Sequence, residues 1–330
     1  MQKYNSPPTQ LQTVPLNRID TTDDTYRITT RSDVDDLLPS IRNDGLLNIP
    51  FVIARADEFA VVSGFRRIAA CARLDMEDIG VRILDPDMNP LECLRIAIAD
   101  NSLQRPLDLL ETSRALYKLS LHLHPIRRLI ESTSSLGLPS NPSIVKKITD
   151  LCLLPENMQH AILNDAISLS MVIELKELPS ECAAAFTQLF SEFKLSLNKQ
   201  REILMLVKEI ARREGISEQR LLEGRQLNEI IVDRDRDRGQ IAHEIRTYLR
   251  RRRFPHIVKA ETQFESHRKQ LNLGSDINLI APKNFEGTDY TLNLKFSSIA
   301  HLRALHARLD QLIEKPNLKQ IVEGKDNSVS

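Results

Sequence analysis

The sequence predicts an α+β protein: a small mixed α/β domain first, an all-helical segment in the middle, and a small α+β region at the end. Three observations carry this. Short β-branched runs alternate with helical apolar stripes up to residue 121. Strand signals then give way to helical periodicity, and two short apolar strands followed by a helical stripe return only after residue 276. With 330 residues, 41% hydrophobic and 27% charged, the chain has material for two or three packed cores. The expected division is a flexible tail over 1–12, an α/β domain over 13–121, a helical domain over 122–224 and a C-terminal region over 225–330.

In the first part, residues 14–19 read as a short strand. Residues 32–35 offer a helix start, with Leu37, Leu38 and Ile41 as its apolar stripe and Gly45 as its stop. Residues 49–54 and 59–62 are the next strands, the second running directly into Ser63 and Gly64. Phe65, Ile68, Ala69 and Ala72 then fall at i, i+3, i+4 and i+7, the spacing of one helix face. Residues 79–84 give a further strand, and helices are expected over 91–101 and 109–121.

Gly64 therefore sits on a tight strand-to-helix turn, with Arg66 and Arg67 in the first turn of the helix. Cations are disfavoured there, because unpaired amides and the positive end of the helix dipole collect at that end. Either a phosphate chain completes the site, or both arginines pair with nearby carboxylates. A second polar corner lies at Asp100-Asn101-Ser102-Leu103-Gln104-Arg105-Pro106. It is read either as helix capping and loop hydrogen bonding, or as a second wall of an anion site. In the latter, Asp100 and Asn101 would offer hard oxygens to Mg2+ and Arg105 would add charge.

Residues 40–47 (SIRNDGLL), SGFRR at 63–67 and DNSLQRPLDLLE at 100–111 together resemble the three boxes of the ParB-like partition-protein N-terminal domain. The resemblance implies a ParB/sulfiredoxin-like fold in which Gly64, Arg66 and Arg67 cradle the triphosphate of CTP, with Gly45, Ser63 and Arg105 beside them. It implies that Asp100 and Asn101 stand at the Mg2+ and hydrolysis position. Phe65 replaces the glutamate usual in the second box, Ala69 its third arginine, and Asp100 the usual glutamate of the third. Sulfiredoxin chemistry needs a cysteine at the strand–helix turn; this turn carries Phe65, and Cys71 lies two helical turns beyond.

In the middle part, residues 126–132 form a short helix, 136–139 a turn, and Asn141 caps a second helix with Pro142 at its first position. The pair has helix-turn-helix dimensions, and its second helix would present Ser143, Lys146 and Lys147 to a DNA major groove. Pro155 opens a further helix, Ser170 caps the next, Pro179 stops it, and a long helix runs from about Leu195 to Glu214 before Gly215.

In the last part, Asp233 to Arg238 alternates in sign and reads as a solvated helix start or linker. Between Gln240 and Gln270 eight basic residues face three acidic ones, the richest basic stretch of a chain with 45 of each sign. Arg250, Arg251, Arg252 and Arg253 are thus candidates for contact with DNA phosphates, or an ordinary solvated face. The helix carrying them is expected to stop at Pro255. Strands over 277–281 and 290–296 and a helix over 299–313 make a ββα piece too small to bury both faces alone.

Cys71, Cys93, Cys152 and Cys182 form no C-x-x-C pair and are expected as buried free thiols. His122 and His124 lack a third ligand nearby in sequence. With no apolar run of signal or membrane-span length, a cytoplasmic protein is expected, and the resemblance implies that it is nucleoid-associated. The functional expectation is a ParB-like protein that binds double-stranded DNA, gated by CTP, acting in partition or transcription regulation. By implication of the resemblance it is a homodimer, and in partition it would meet an ATPase. The alternative is a metal-dependent nuclease or nucleotide hydrolase on the same N-terminal fold.

Overall fold

The computed structural model describes residues 9–233 and 236–323. The chain divides into two compact units, 1–194 and 195–330, a boundary that falls inside the expected helical segment 122–224. Among the described residues no helix is long and apolar enough to cross a membrane.

The first unit opens with a five-stranded mixed sheet built from β1 (Thr9–Pro15), β2 (Ile19–Asp20), β3 (Phe51–Arg55), β4 (Glu58–Ser63) and β5 (Asp78–Leu84). Its order is β1-β5-β3-β4-β2. β1–β5 and β3–β4 pair antiparallel, while β3–β5 and β2–β4 pair parallel. The tail expected to reach residue 12 is corrected here: Thr9 to Gln12 pair with Leu84 to Val81 on β5, Thr9 facing Leu84 and Gln12 facing Val81. All four are exposed on an edge strand and only Leu11 is apolar, so no apolar alternation announced them. The rest of that expected tail, 1–8, lies outside the described residues.

Helix α1 (Leu38–Asp44) begins later than the sequence suggested, after Leu37 rather than within 32–35. Pro39 decides this, because proline is tolerated only in a helix's first turn. Helix α2 (Phe65–Arg73) buries Ile68, Ala70 and Cys71 on the sheet's valines, while Ala69 and Ala72 are exposed, so the expected face is rotated. Alanines count as apolar whichever way they point, and Ile68 and Cys71 set the true phase. Helices α3 (Pro90–Gln104) and α4 (Leu109–Ser120) complete the α/β part.

Beyond them come α5 (Ile126–Thr133), α6 (Pro142–Ile148), α7 (Glu156–Leu163), α8 (Leu169–Lys176) and α9 (Ser180–Phe193). α4 packs against α5, α6 and α7, making it the shaft between the sheet domain and the helical cluster. Ser113 on α4 donates to the Thr149 carbonyl at 3.0 Å and accepts from the Cys152 amide at 2.8 Å. The cap of α8 is Ser168 and not Ser170; α8 ends at Lys176, and Pro179 is the N-cap of α9.

The second unit contains α10 (Leu197–Glu214), α11 (Glu218–Leu222), α12 (Arg225–Ile231), α13 (Arg238–Arg253) and α14 (Pro255–Leu271). The alternating 233–238 stretch includes 234 and 235, which lie outside the described residues; Asp237 caps α13 through a capping box. Pro255 ends α13 but also occupies the first turn of α14, a helix the sequence reading did not foresee. Strands β6 (Ile277–Ile280) and β7 (Thr291–Leu294) pair antiparallel and are followed by α15 (Ile299–Ile313) and α16 (Pro316–Glu323). β6 buries Ile277 and Leu279, whereas β7 leaves Leu292 exposed.

Candidate functional site at the β4–α2 corner

The corner forms because β4 ends fully buried at Val61, Val62 and Ser63 and must reverse into α2 within one residue. Gly64 makes that reversal with φ at +97°, in the left-handed region. A Cβ there would lie 2.8 Å from the Pro50 side chain, so a larger residue meets both backbone strain and a clash. No side chain caps α2, and its first turn holds no acid. Its opening amides are therefore left without side-chain partners, beside two arginines.

Arg67 donates through Nη1 to the Asn48 carbonyl at 2.7 Å and through Nη2 to Asp100 on α3. The same Asp100 oxygen accepts from the Ser63 hydroxyl. Arg66 donates through Nε to the Asp33 carbonyl at 2.8 Å and pairs with Asp36. The Arg66 guanidinium holds the Asp36 carboxyl below the usual aspartate range. Ser63, Gly64, Arg66, Arg67 and Asp100 are thus brought to one place, and each guanidinium carries one of the protein's own carboxylates. Of the two readings offered by the sequence, carboxylate pairing is the arrangement present in this state. Gly45 ends α1 with φ at +73°, three residues before Asn48.

Asn101 and Arg105 point elsewhere. Asn101 donates back to the Ala97 carbonyl at 2.7 Å along its own helix. Arg105 forms a two-pronged ion pair with Glu111, whose side chain is completely buried, and donates to the Pro106 carbonyl. Glu111 also accepts from the Asp108 amide at 3.0 Å, the Thr30 amide at 3.2 Å and the Thr29 hydroxyl at 3.1 Å. Burial opposes its charge, yet the Arg105 guanidinium and these donors outweigh it and hold the carboxyl below its ordinary value. Arg105 is therefore a structural partner that ties α3 to α4, not an exposed wall of the corner.

A magnesium ion is not well served here. Asp100 is committed to Arg67 and Ser63, Asn101 is turned back on its helix, and no cluster of three His, Cys, Asp or Glu is poised for a metal among the described residues. No disulfide joins any of the four cysteines, and burial pushes the Cys71, Cys93 and Cys152 thiols up, away from thiolate chemistry.

In the helical cluster, Asn141 caps α6 by accepting from the Ser143 and Ile144 amides. Val145 and Ile148 are buried, while Ser143, Ile144, Lys146 and Lys147 are exposed. Neither lysine meets an acid among the described residues. The arginines of α13 behave differently. Arg250 pairs with Glu261, Arg252 with Glu214, and Arg253 with Glu209 at 2.7 Å while lying over the Phe254 ring. Arg251 alone of the four has no acid partner among the described residues. Most of the expected phosphate-contacting charge is thus engaged in fastening α13 to α10 and α14.

The residues that sequence reasoning missed are Asp33, Asp36 and Asn48, which hold the two arginines, and Glu111. The Asp33, Asp35 and Asp36 run was a usable signal for Asp36, since three carboxylates so close need cations, whereas Asp33 and Asn48 act through backbone carbonyls that no residue type announces.

Residues 2–102 match the ParB N-terminal domain family. Among solved structures, the C-terminally truncated chromosome-partitioning protein ParB from Caulobacter crescentus, complexed with CTP-gamma-S, is 22% identical, with 55% of this chain and 98% of that chain covered and a TM-score of 0.26. A Pnob8-like ParB-N domain is 13% identical, with 73% and 99% covered and a TM-score of 0.32. No curated protein matches the chain. By the family match over residues 2–102, the sheet domain that builds the β4–α2 corner is similar to the ParB N-terminal domain.

Proposed function

We propose that the chain is a ParB-like protein of DNA partition or transcription regulation that binds duplex DNA through α5 and α6 and takes a nucleotide triphosphate at the β4–α2 corner. The observation that carries the nucleotide reading is the pair of arginines in the uncapped first turn of α2, behind a glycine that can only be glycine. A triphosphate carries several charges where Asp36 and Asp100 carry one each. It can therefore displace them from Arg66 and Arg67 while also accepting from the opening amides. Two such contacts, at roughly 1.5–3 kcal/mol each, supply a large share of a micromolar affinity of about 8 kcal/mol.

This geometry supports a triphosphate, and the motif resemblance supports cytosine as its base. Displacing Asp100 would free α3, which Arg105 and Glu111 join to α4, the helix that supports α5 and α6. Nucleotide would thus shift the population of arrangements available to the DNA-reading pair, and in a homodimer the closure of two copies on DNA. No step is assigned to magnesium. For the DNA reading the support is the acid-free, exposed face of α6, with Lys146 and Lys147 free to meet phosphates.

The test is calorimetric titration of the full chain with CTP, GTP and ATP. CTP is expected to give saturable heat, and Arg66→Ala to abolish it while leaving retardation of duplex DNA unchanged. CTP binding by Arg66→Ala at wild-type strength would overturn the site.

A further inference from the structure

We propose that Ile144 reads a thymine methyl group in the major groove, making it a specificity-determining residue of this protein. The inference deepens the DNA reading above and rests on it. Helix α6 buries Val145 and Ile148 against the cluster that includes α4. A helix that short needs no third apolar residue, and Ile144 points out of the core, 45% exposed. It stands between Ser143 and the lysines 146 and 147 on the exposed face.

An exposed isoleucine alone would carry nothing. Here its surroundings select the occupant. The helix holds no acidic residue, and its two cations have no acid partner among the described residues, so the face suits a polyanion and not an acidic-and-basic protein patch. Asn141 spends its side chain on the Ser143 and Ile144 amides, which fixes the backbone that presents both side chains. Lys146 and Lys147 can reach phosphates, which position the helix but carry no sequence information. Among the base edges of the major groove, the one apolar feature is the 5-methyl of thymine. A branched aliphatic side chain with no hydrogen-bonding group can discriminate only there. Removing one such methyl from contact is expected to weaken binding about fourfold, the equivalent of roughly one buried CH₂ group.

The test uses the full chain and a library of duplexes with a randomised centre, carried through rounds of selection. The enriched duplex is then resynthesised with deoxyuridine replacing thymidine one position at a time, which removes the methyl and leaves pairing intact. The expected result is about fourfold weaker binding at one position per half-site, and loss of that preference in Ile144→Ala, whose helical circular dichroism stays that of wild type. Ile144→Val, which keeps a branched aliphatic contact, should retain it. Equal binding of thymidine and deoxyuridine duplexes at every position, or an unchanged preference in Ile144→Ala, overturns the inference and leaves the DNA reading standing. Failure of the wild-type chain to enrich any duplex overturns both.

Discussion

Glu111→Ala is expected to remove about 3–5 kcal/mol of stability from the first unit, the usual cost of deleting one partner of a buried ion pair. The side chain is completely buried; its loss takes the carboxylate from Arg105, which keeps only the Pro106 carbonyl, and the acceptor from two amides and the Thr29 hydroxyl. Such a loss is comparable with the whole stability of a modest domain. Urea unfolding followed by circular dichroism reads it as a lower midpoint for the unit that contains the sheet. A pH series separates charge from shape. Because the folded carboxyl sits below its ordinary value, its contribution is complete above about pH 4.5, the unfolded range. It is lost as pH falls through the depressed folded value. Glu111→Gln keeps the shape but lacks the titration, so its stability should fall less steeply than wild type on acidification below that range. An unchanged midpoint for Glu111→Ala would show that the network is not what joins α3 to α4.

The second large effect concerns nucleotide binding, where neighbouring substitutions should act in opposite directions. Arg67→Ala removes a guanidinium that now holds Asn48 and Asp100, and is expected to weaken CTP binding roughly tenfold to a hundredfold. Asp100→Asn leaves the guanidinium in place but takes away the carboxylate that competes with phosphate for it. In EDTA, where no cation can bridge carboxylate and phosphate, Asp100→Asn is expected to tighten CTP binding several-fold. A merely structural role for Asp100 predicts the reverse, since losing the pair would loosen the corner and weaken binding in both variants. Fluorescence or calorimetric titration of the two variants, side by side in EDTA, distinguishes the cases by sign alone.

How much of this was readable from the chain varies by element. The Gly64 turn was legible because only glycine fits a strand that must reverse into a helix at positive φ, and the valines before it fixed the strand. The placement of Arg66 and Arg67 followed from it. Their partners were not legible: Asp36 and Asp100 lie 30 and 33 residues away, and only the packing of α1 on α2 and of α3 on β4 brings them there. The phase of α2 was misread because alanines carry little directional information. Arg105 looked like part of an anion wall because its neighbours are polar, although Glu111, six residues on, was in the same motif. The basic run 250–253 overstated free charge for a similar reason, since its glutamate partners come from α10 and α14. Polar edge strand β1 and helix α14, which begins at the same proline that ends α13, had no pattern of their own to give.

The central claim is that the first turn of α2 is built for phosphate and that the protein's own carboxylates stand in for it. A crystal structure of the full chain with CTP tests this most directly. The account predicts phosphate oxygens on the amides of Phe65, Arg66 and Arg67, with Arg66 parted from Asp36 and Arg67 from Asp100. Both arginines still on their carboxylates, with the nucleotide elsewhere or missing, would contradict it.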